Sequence, residues 1–328
     1  MNKHKYMITA SVVALAAGLV GGAADAQQVL RLGHVYDPAH PMHLAAVEAA
    51  ESFAACTGGS HTIEVFPASQ LGSENALNEQ IRFGGVDIIL TGQIFASSSY
   101  PPLAIGAAPY IFANRDQALS YRTSDIFEGL WEGWNAATGQ HILSAGYFGS
   151  FNVTSNSPIV TPADMVGMRV RVPDSPIYMA FPKAVGANPT PVAFAEVYLA
   201  LQQGLVTGSV NPLPTTNSMR FYEVQDYVAL TGHLVEYVLW IVGDHVWSGM
   251  SADARSCMAD AAAAFGDTTT AAIVEQEDTL RVSMEAEGKL QFTEPDIAAF
   301  QAATSDAINA MAEELGVSAE LLAAIQGL

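Results

Sequence analysis

PADMVGMRVRVPDSPIYMAFPKAVGANPTPVAFAEVYLALQQGLVTGSVNP, residues 162–212, alternates the two periodicities from which an α/β protein is built. Met168–Val172 reads as a strand. Val170 and Val172 leave one face and Arg169 and Arg171 the other, because successive side chains in a strand point to opposite sides. Phe194, Val197, Tyr198, Leu201 and Leu205 then follow helical spacing, with Gly204 near the end of the stripe. Taken alone, two arginines on one strand face suggest a solvated face.

The same alternation extends outward. Val29–Val35, Thr62–Phe66, Val86–Thr91, Ile142–Tyr147 and His233–Val242 read as strands, most of them bounded by Gly, Pro or Ser. Leu44–Ala55 and Glu74–Phe83 carry helical patterns, and Gly58-Gly59 and Gly84-Gly85 sit where helices should stop. Strand–helix alternation predicts an α/β fold with largely parallel sheets. The last third is rich in Ala and Glu: Ala252–Arg281 predicts one long helix or a kinked pair, and Ile297, Phe300, Ile308 and Met311 mark another. No flexible linker, repeat or low-complexity tract separates parts of the chain, so two lobes would have to share crossing strands.

Composition narrows the function. Lys3, His4 and Lys5 precede an uncharged apolar stretch from Met7 to Val20, and Ala24-Asp25-Ala26 stands before Gln27. That pattern predicts a secretory signal peptide over residues 1–26. A retained anchor is the alternative, interrupted by Gly21 and Gly22. No later stretch reaches the ~18 apolar residues of a membrane helix, so the exported chain is expected to be soluble. The formal charge is −20, and removing Lys3, Lys5 and Asp25 takes away a net +1 to leave −21. Such a chain is repelled by phosphate backbones, which excludes nucleic acid as a partner. Its two cysteines, Cys56 and Cys257, permit a disulfide in an oxidising compartment, or two reduced buried side chains.

Catalytic signatures are absent: there is no G-x-S-x-G, H-E-x-x-H, G-x-x-x-x-G-K or C-x-x-C. A secreted hydrolase would therefore need a site assembled from scattered residues. His34, His40 and His43 fall within ten residues in HVYDPAHPMH, and imidazoles bind zinc, so a metal-capturing protein is a second reading. Pro38 and Pro41 break that segment, and its spacing matches no standard zinc pattern.

The central stretch closely resembles the substrate-binding subunits of tripartite ATP-independent periplasmic (TRAP) transporters, the DctP-like solute receptors. Arg169-Val170-Arg171-Val172-Pro173, Gly186–Pro191, Glu196–Gly204 and Thr207–Pro212 follow that family's series of motifs in order. VFPASQLGSE from Val65, FGGVDIILTG from Phe83, APYIF from Ala108 and TGHLVEY from Thr231 extend the likeness over nearly the whole exported chain. The resemblance implies an α/β periplasmic binding protein with two lobes, an interlobe cleft, crossing strands and long C-terminal helices. Lobe I would hold residues 27–149 and 235–275, lobe II residues 150–234 and 276–328. It further implies a non-enzymatic, monomeric periplasmic receptor, without a cofactor, that delivers an organic acid to a TRAP membrane permease.

Carried over residue by residue, Arg171 is the arginine that pairs with the solute's carboxylate. A planar guanidinium does this through two parallel bonds in a way that lysine cannot. Asn211 matches a ligand-bonding asparagine, though Asn before Pro212 is also a common turn residue. Phe194 matches a position that packs on the ligand, or is core. His233 and Glu236 lie on the segment returning to the first lobe. Thr91 and Gln93 follow one strand, and His34 and Tyr36 follow another, where open α/β sheets present ligands. Asp174, just past the arginine strand, is a further candidate. Phe151, in Ser150-Phe151-Asn152-Val153-Thr154, stands where many members of the family carry a second arginine. Its loss argues against a dicarboxylate or a sialic-acid-like solute, and for a monocarboxylate, a hydroxy acid or a zwitterion such as an ectoine-like or amino-acid-derived compound.

Overall fold

A computed structural model describes residues 27–328, so the expected signal peptide lies outside the described residues. The chain forms two sheets. The first is ordered β2-β1-β3-β10-β4, from β1 (Gln28–Gly33), β2 (His61–Phe66), β3 (Ile88–Gly92), β4 (His141–Ser150) and β10 (Val235–Val242). The second is ordered β11-β9-β5-β8-β6-β7, from β5 (Asn152–Ser155), β6 (Arg169–Val172), β7 (Asn188–Pro191), β8 (Gly208–Asn211), β9 (Tyr227–Ala229) and β11 (Gln291–Thr293). Each sheet is the centre of one lobe.

The expectation of largely parallel sheets needs correction. β1 pairs in parallel with β2 and β3, and β6 with β7 and β8, but β10 is antiparallel to both its neighbours and β5 to both of its own. The reason is the crossing. The chain leaves β4 at Ser150 and begins β5 at Asn152, then returns from β9 into β10, so each lobe receives a strand running against its βαβ units. The two crossings hold each other: Phe151 N–H donates to the Leu234 carbonyl at 2.8 Å, and His233 N–H to the Phe151 carbonyl at 3.2 Å.

Helices cover the sheets: α1 (Pro41–Cys56), α2 (Glu74–Arg82), α3 (Gln93–Ala96), α4 (Arg115–Arg122) and α5 (Asp125–Thr138) precede the first crossing. The short α6 (Ala180–Ala184), α7 (Val197–Gln202) and α8 (Leu213–Ser218) follow it, then α9 (Asp244–Trp247), α10 (Ala252–Ala286), α11 (Ile297–Glu314) and α12 (Ala319–Gln326). α10 is a single helix of 35 residues, capped by the Ser251 hydroxyl, which accepts from Ala254 N–H. It packs on β4 and α1 and reaches α8 in the other lobe, so it clasps the pair. Gly58 and Gly84 take the positive φ expected after helices α1 and α2 (60° and 72°). Cys56 and Cys257 form a disulfide that ties the end of α1 to α10, with Cα atoms 5.8 Å apart, which settles the question the sequence left open. Among the described residues, no helix is long and apolar enough to cross a membrane.

Candidate functional site

β6 ends at Val172, between β8 and the edge strand β7, with Val170, Arg171 and Val172 all buried and Arg169 exposed. Arg169 serves the fold: its guanidinium donates to the Leu205 and Gly204 carbonyls, each at 2.8 Å, and ties β6 to the turn after α7. Arg171 behaves differently. Only 1% of its surface is exposed. Nε and Nη2 both donate to the Val192 carbonyl, at 3.1 and 2.9 Å, which fixes the plane of the group. Nη1 is buried with no hydrogen-bond partner. Burial lowers the guanidinium's pKa to about 10, so it remains a cation at neutral pH.

Two adjoining chambers meet at this arginine. The inner one, about 30 Å³, is walled by Tyr36, Phe148 and Glu236 from the first lobe and by Phe151, Tyr178, Phe194 and Asn211 from the crossing and the second. The outer one, about 240 Å³, opens past Ser73, Glu74 and Asn75 of the first lobe and Asp174, Ala193 and Glu196 of the second. Both are bordered by Val35, Glu74, Phe95, Arg171 and Phe194. The aromatic wall is continuous: Tyr36 lies 5.4 Å from Phe148 and 6.2 Å from Phe194, and Phe151 lies 5.9 Å from both Phe148 and Tyr178, centroid to centroid. The Arg171 guanidinium sits 5.9 Å from the Phe194 ring centroid.

Of the residues expected from the sequence, Arg171, Asn211, Phe194, Glu236, Tyr36 and Phe151 share the inner chamber, and Asp174 lines the outer one. Asn211 Nδ2 donates to the Ser209 hydroxyl at 2.8 Å. Asp174 accepts from Asn75 Nδ2 through its backbone carbonyl, at 3.1 Å, and its carboxylate, at 3.3 Å, which links the lobes at the mouth.

Four expected contacts line neither chamber. His233 stacks on Phe181, centroids 3.7 Å apart, and bonds the Thr231 hydroxyl at 2.8 Å. Thr91 stands behind Glu74, receiving Asn78 Nδ2 at 2.7 Å. Gln93 is fully buried on α3, where its N–H supports Glu236, and its amide O and N have no partner. His34 accepts Tyr36 N–H on Nδ1 and meets His43 Nδ1 with Nε2 at 3.2 Å, so it orients Tyr36 from behind.

The histidine reading as a metal site is also overturned. Among the described residues no three His, Cys, Asp or Glu side chains are placed to hold a metal ion. His40 caps α1 by accepting Met42 N–H on Nδ1, and its Nε2 faces the Thr215 hydroxyl of α8 at 3.2 Å. Burial drives both His34 and His40 down to about 3, so they are neutral structural groups.

Sequence reasoning missed Glu74, Tyr178, Phe95 and Phe148. Glu236 and Tyr178 form one unit across the lobes: the Tyr178 hydroxyl donates to Glu236 Oε2, while Oε1 accepts Ile94 N–H at 3.2 Å. Burial raises the Glu236 carboxyl to about 8, so it is mostly neutral at pH 7, and the acid that acts on the Arg171 charge is Glu74. Glu74, at the start of α2, accepts from Gly92 N–H at 3.0 Å and the Thr91 hydroxyl at 3.5 Å. Burial raises it to about 7. The site is thus a fixed, half-satisfied cation in an aromatic chamber between two lobes.

Comparisons with known proteins agree with this architecture. A solute-binding protein of Roseobacter denitrificans is 34% identical over 307 residues, covering 93% of each chain. A crystal structure of a TRAP periplasmic solute-binding protein from Roseobacter denitrificans, with bound L-galactonate, superposes with a TM-score of 0.84 at 32% identity, over 92% of this chain and 98% of that one. An ectoine/5-hydroxyectoine-binding periplasmic protein of Ruegeria pomeroyi is 28% identical, over 71% of this chain and 70% of its own length. The sequence model of the family described as bacterial extracellular solute-binding protein, family 7 (DctP), matches residues 32–315. With its two lobes, crossing strands and interlobe arginine, the chain belongs to the DctP family of TRAP periplasmic solute-binding proteins, which are transport receptors and not enzymes.

Proposed function

We propose that the protein captures one small carboxylate-bearing organic solute, a monocarboxylate, hydroxy acid or zwitterion, and delivers it to the membrane subunits of a TRAP permease. The observation that carries this reading is the Arg171 guanidinium, pinned by Val192 and buried, with Nη1 unpartnered. Leaving a buried charged donor unsatisfied is costly, and a carboxylate is the group that satisfies it best. Asn211 and Phe194 flank the carboxylate, and Tyr36, Phe151 and Glu236 surround the solute's body. Phe151 supplies an apolar ring beside Tyr178 and Phe148 where a second cation would favour a dicarboxylate.

The chain acts in the periplasm as a monomer after loss of residues 1–26. Lobe I comprises residues 27–149 and 235–275, and lobe II residues 150–234 and 276–328. The lobes separate and close about the paired crossings at Phe151 and Leu234, and the solute stabilises the closed state. A thermal-shift screen of carboxylates, zwitterions and neutral sugars tests the reading, since a ligand specific to the native state raises the melting temperature. Compounds that carry a carboxylate, zwitterions included, should stabilise, and neutral sugars should not. A neutral sugar that stabilised the protein as strongly would refute the carboxylate clamp.

A further inference from the structure

The chambers at Arg171 hold one cation and an excess of acid. Arg171 faces Glu74 at the boundary of both chambers, and Asp174 and Glu196 stand exposed at the outer mouth. Glu74 Oε1 is occupied by Gly92 and Thr91, while Oε2 accepts no hydrogen bond among the described residues. Tyr36, Phe95 and Phe194 line the space between Glu74 and Arg171. In the inner chamber the polar side chains are already engaged, Tyr178 and Glu236 with each other and Asn211 Nδ2 with Ser209, while Ser69, Ser73 and Asn75 line the outer one.

We infer that the solute is a compact zwitterion, its carboxylate on Arg171 and its cationic group against Glu74 among these aromatic rings. The inference rests on the carboxylate reading of Arg171 and adds the second pole. A wholly anionic solute would bring its other end toward Glu74, Asp174 and Glu196, where like charges repel at close range. A monocarboxylate with a neutral tail would satisfy Arg171 but bring no opposite charge to Glu74. An ammonium or amidinium meets the opposite situation: a carboxylate with a free oxygen, and ring faces that attract cations. The Glu74 carboxyl, held by burial at about 7, is drawn to its ionised form by such a neighbour.

Isothermal titration near pH 7 with wild type, Glu74→Gln and Arg171→Met tests this. The probes are the zwitterions γ-aminobutyrate, glycine betaine and ectoine, and the anions butyrate, succinate and L-galactonate, each to about 10 mM, where even weak specific binding registers. Glutamine keeps the acceptor for Gly92 N–H, and a melting curve checks that the variant folds. At least one zwitterion should bind more than about tenfold tighter than any anion, and E74Q should weaken it about tenfold or more while anions bind equally or better. An anion binding wild type more tightly than every zwitterion, or E74Q leaving zwitterion affinity intact, overturns the inference. Anions that bind and are lost in R171M would leave the carboxylate reading standing alone. If neither class binds, both readings fall.

Discussion

Replacing Arg171 by methionine should weaken solute binding and stabilise the solute-free protein at the same time. The two effects come from the same atoms. Burial moves the guanidinium from 12.5 to about 10, and at 1.36 kcal/mol per pKa unit the charged form is about 3 kcal/mol less favourable in the fold than in the unfolded chain. For a cation whose folded pKa is depressed, that cost is present at every pH below about 10. Methionine fills similar space without charge. It gives up the two bonds to the Val192 carbonyl, a loss of about 1–2 kcal/mol. The net gain is about 1–2 kcal/mol. At about 2.1 cal/mol/K of unfolding entropy per residue, a chain of this size gains about 2–3 °C in melting temperature. Binding moves the other way: removing the partner of a buried carboxylate costs about 3–5 kcal/mol, or two to three and a half decades in Kd. Calorimetric titration with a solute found in the screen, and a melting curve without it, read both. Undiminished affinity would refute the clamp. A lower melting temperature would show that Arg171 supports the fold and is not held there at its expense.

Tyr178→Phe removes the hydroxyl that joins the lobes at Glu236 and keeps the ring beside Phe151; Kd should rise about three- to tenfold, and an unchanged Kd would show the bond plays no part in closure. Cys56→Ser with Cys257→Ser opens a link spanning 201 residues; it should cost about 3–5 kcal/mol, or about 5–8 °C, with affinity unchanged. Stability should peak near pH 6.5. His34, His40 and His233 fall from 6.5 to about 3 on burial, so below pH 6.5 the unfolded chain binds three protons that the native chain does not. Glu74 and Glu236 rise from 4.5 to about 7 and about 8, so above pH 4.5 the native chain keeps two that the unfolded chain has released. Stability then climbs with pH to about 6.5 and declines until the two carboxyls have ionised near pH 8. Glu277, also raised by burial, flattens the lower part of the climb. Melting curves from pH 4.5 to 8.5 at constant ionic strength test this, and a steady rise through pH 8 would contradict it.

The sequence made the long elements legible because their signal is burial. β3 and β10 are largely apolar runs with sharp ends, β1 alternates between buried and exposed, and α1 and α2 stop at glycines in the left-handed region. Strand direction was not legible, because it depends on where the chain crosses between lobes and not on any local pattern. β5, β9 and β11, three or four residues each, are too short to show a period. At the site, a motif exposed Arg171 and Asn211. Glu74 was hidden in plain view: an acid in the first turn of a helix, after the Ser73 cap, is what the helix dipole alone would favour. Tyr178, Phe95 and Phe148 look like core aromatics, and they are core on one side. The histidines misled through spacing alone. His40 was placed by the need to cap α1, which a count of imidazoles does not reveal.

The inner chamber, at about 30 Å³, has room for about one water molecule, so a solute enters that side of Arg171 only when the lobes part. On the cleft side, among the described residues, three polar links then have to break: Tyr178 with Glu236, Asp174 with Asn75, and His40 with Thr215. At about 0.5–1.5 kcal/mol each, they favour closure by roughly 2–4 kcal/mol. Against them stands the buried guanidinium, whose cost of about 3 kcal/mol is largely relieved when the cleft opens to water. The two sides nearly cancel, and a near balance is what a receptor needs. A solute that completes Nη1 cancels the opposing side alone, and about 3 kcal/mol moves the ratio of closed to open by about a hundredfold. On the proposed reading Arg171 is both the recognition group and the brake on closing without cargo, and both roles rest on Nη1, the buried nitrogen left without a partner.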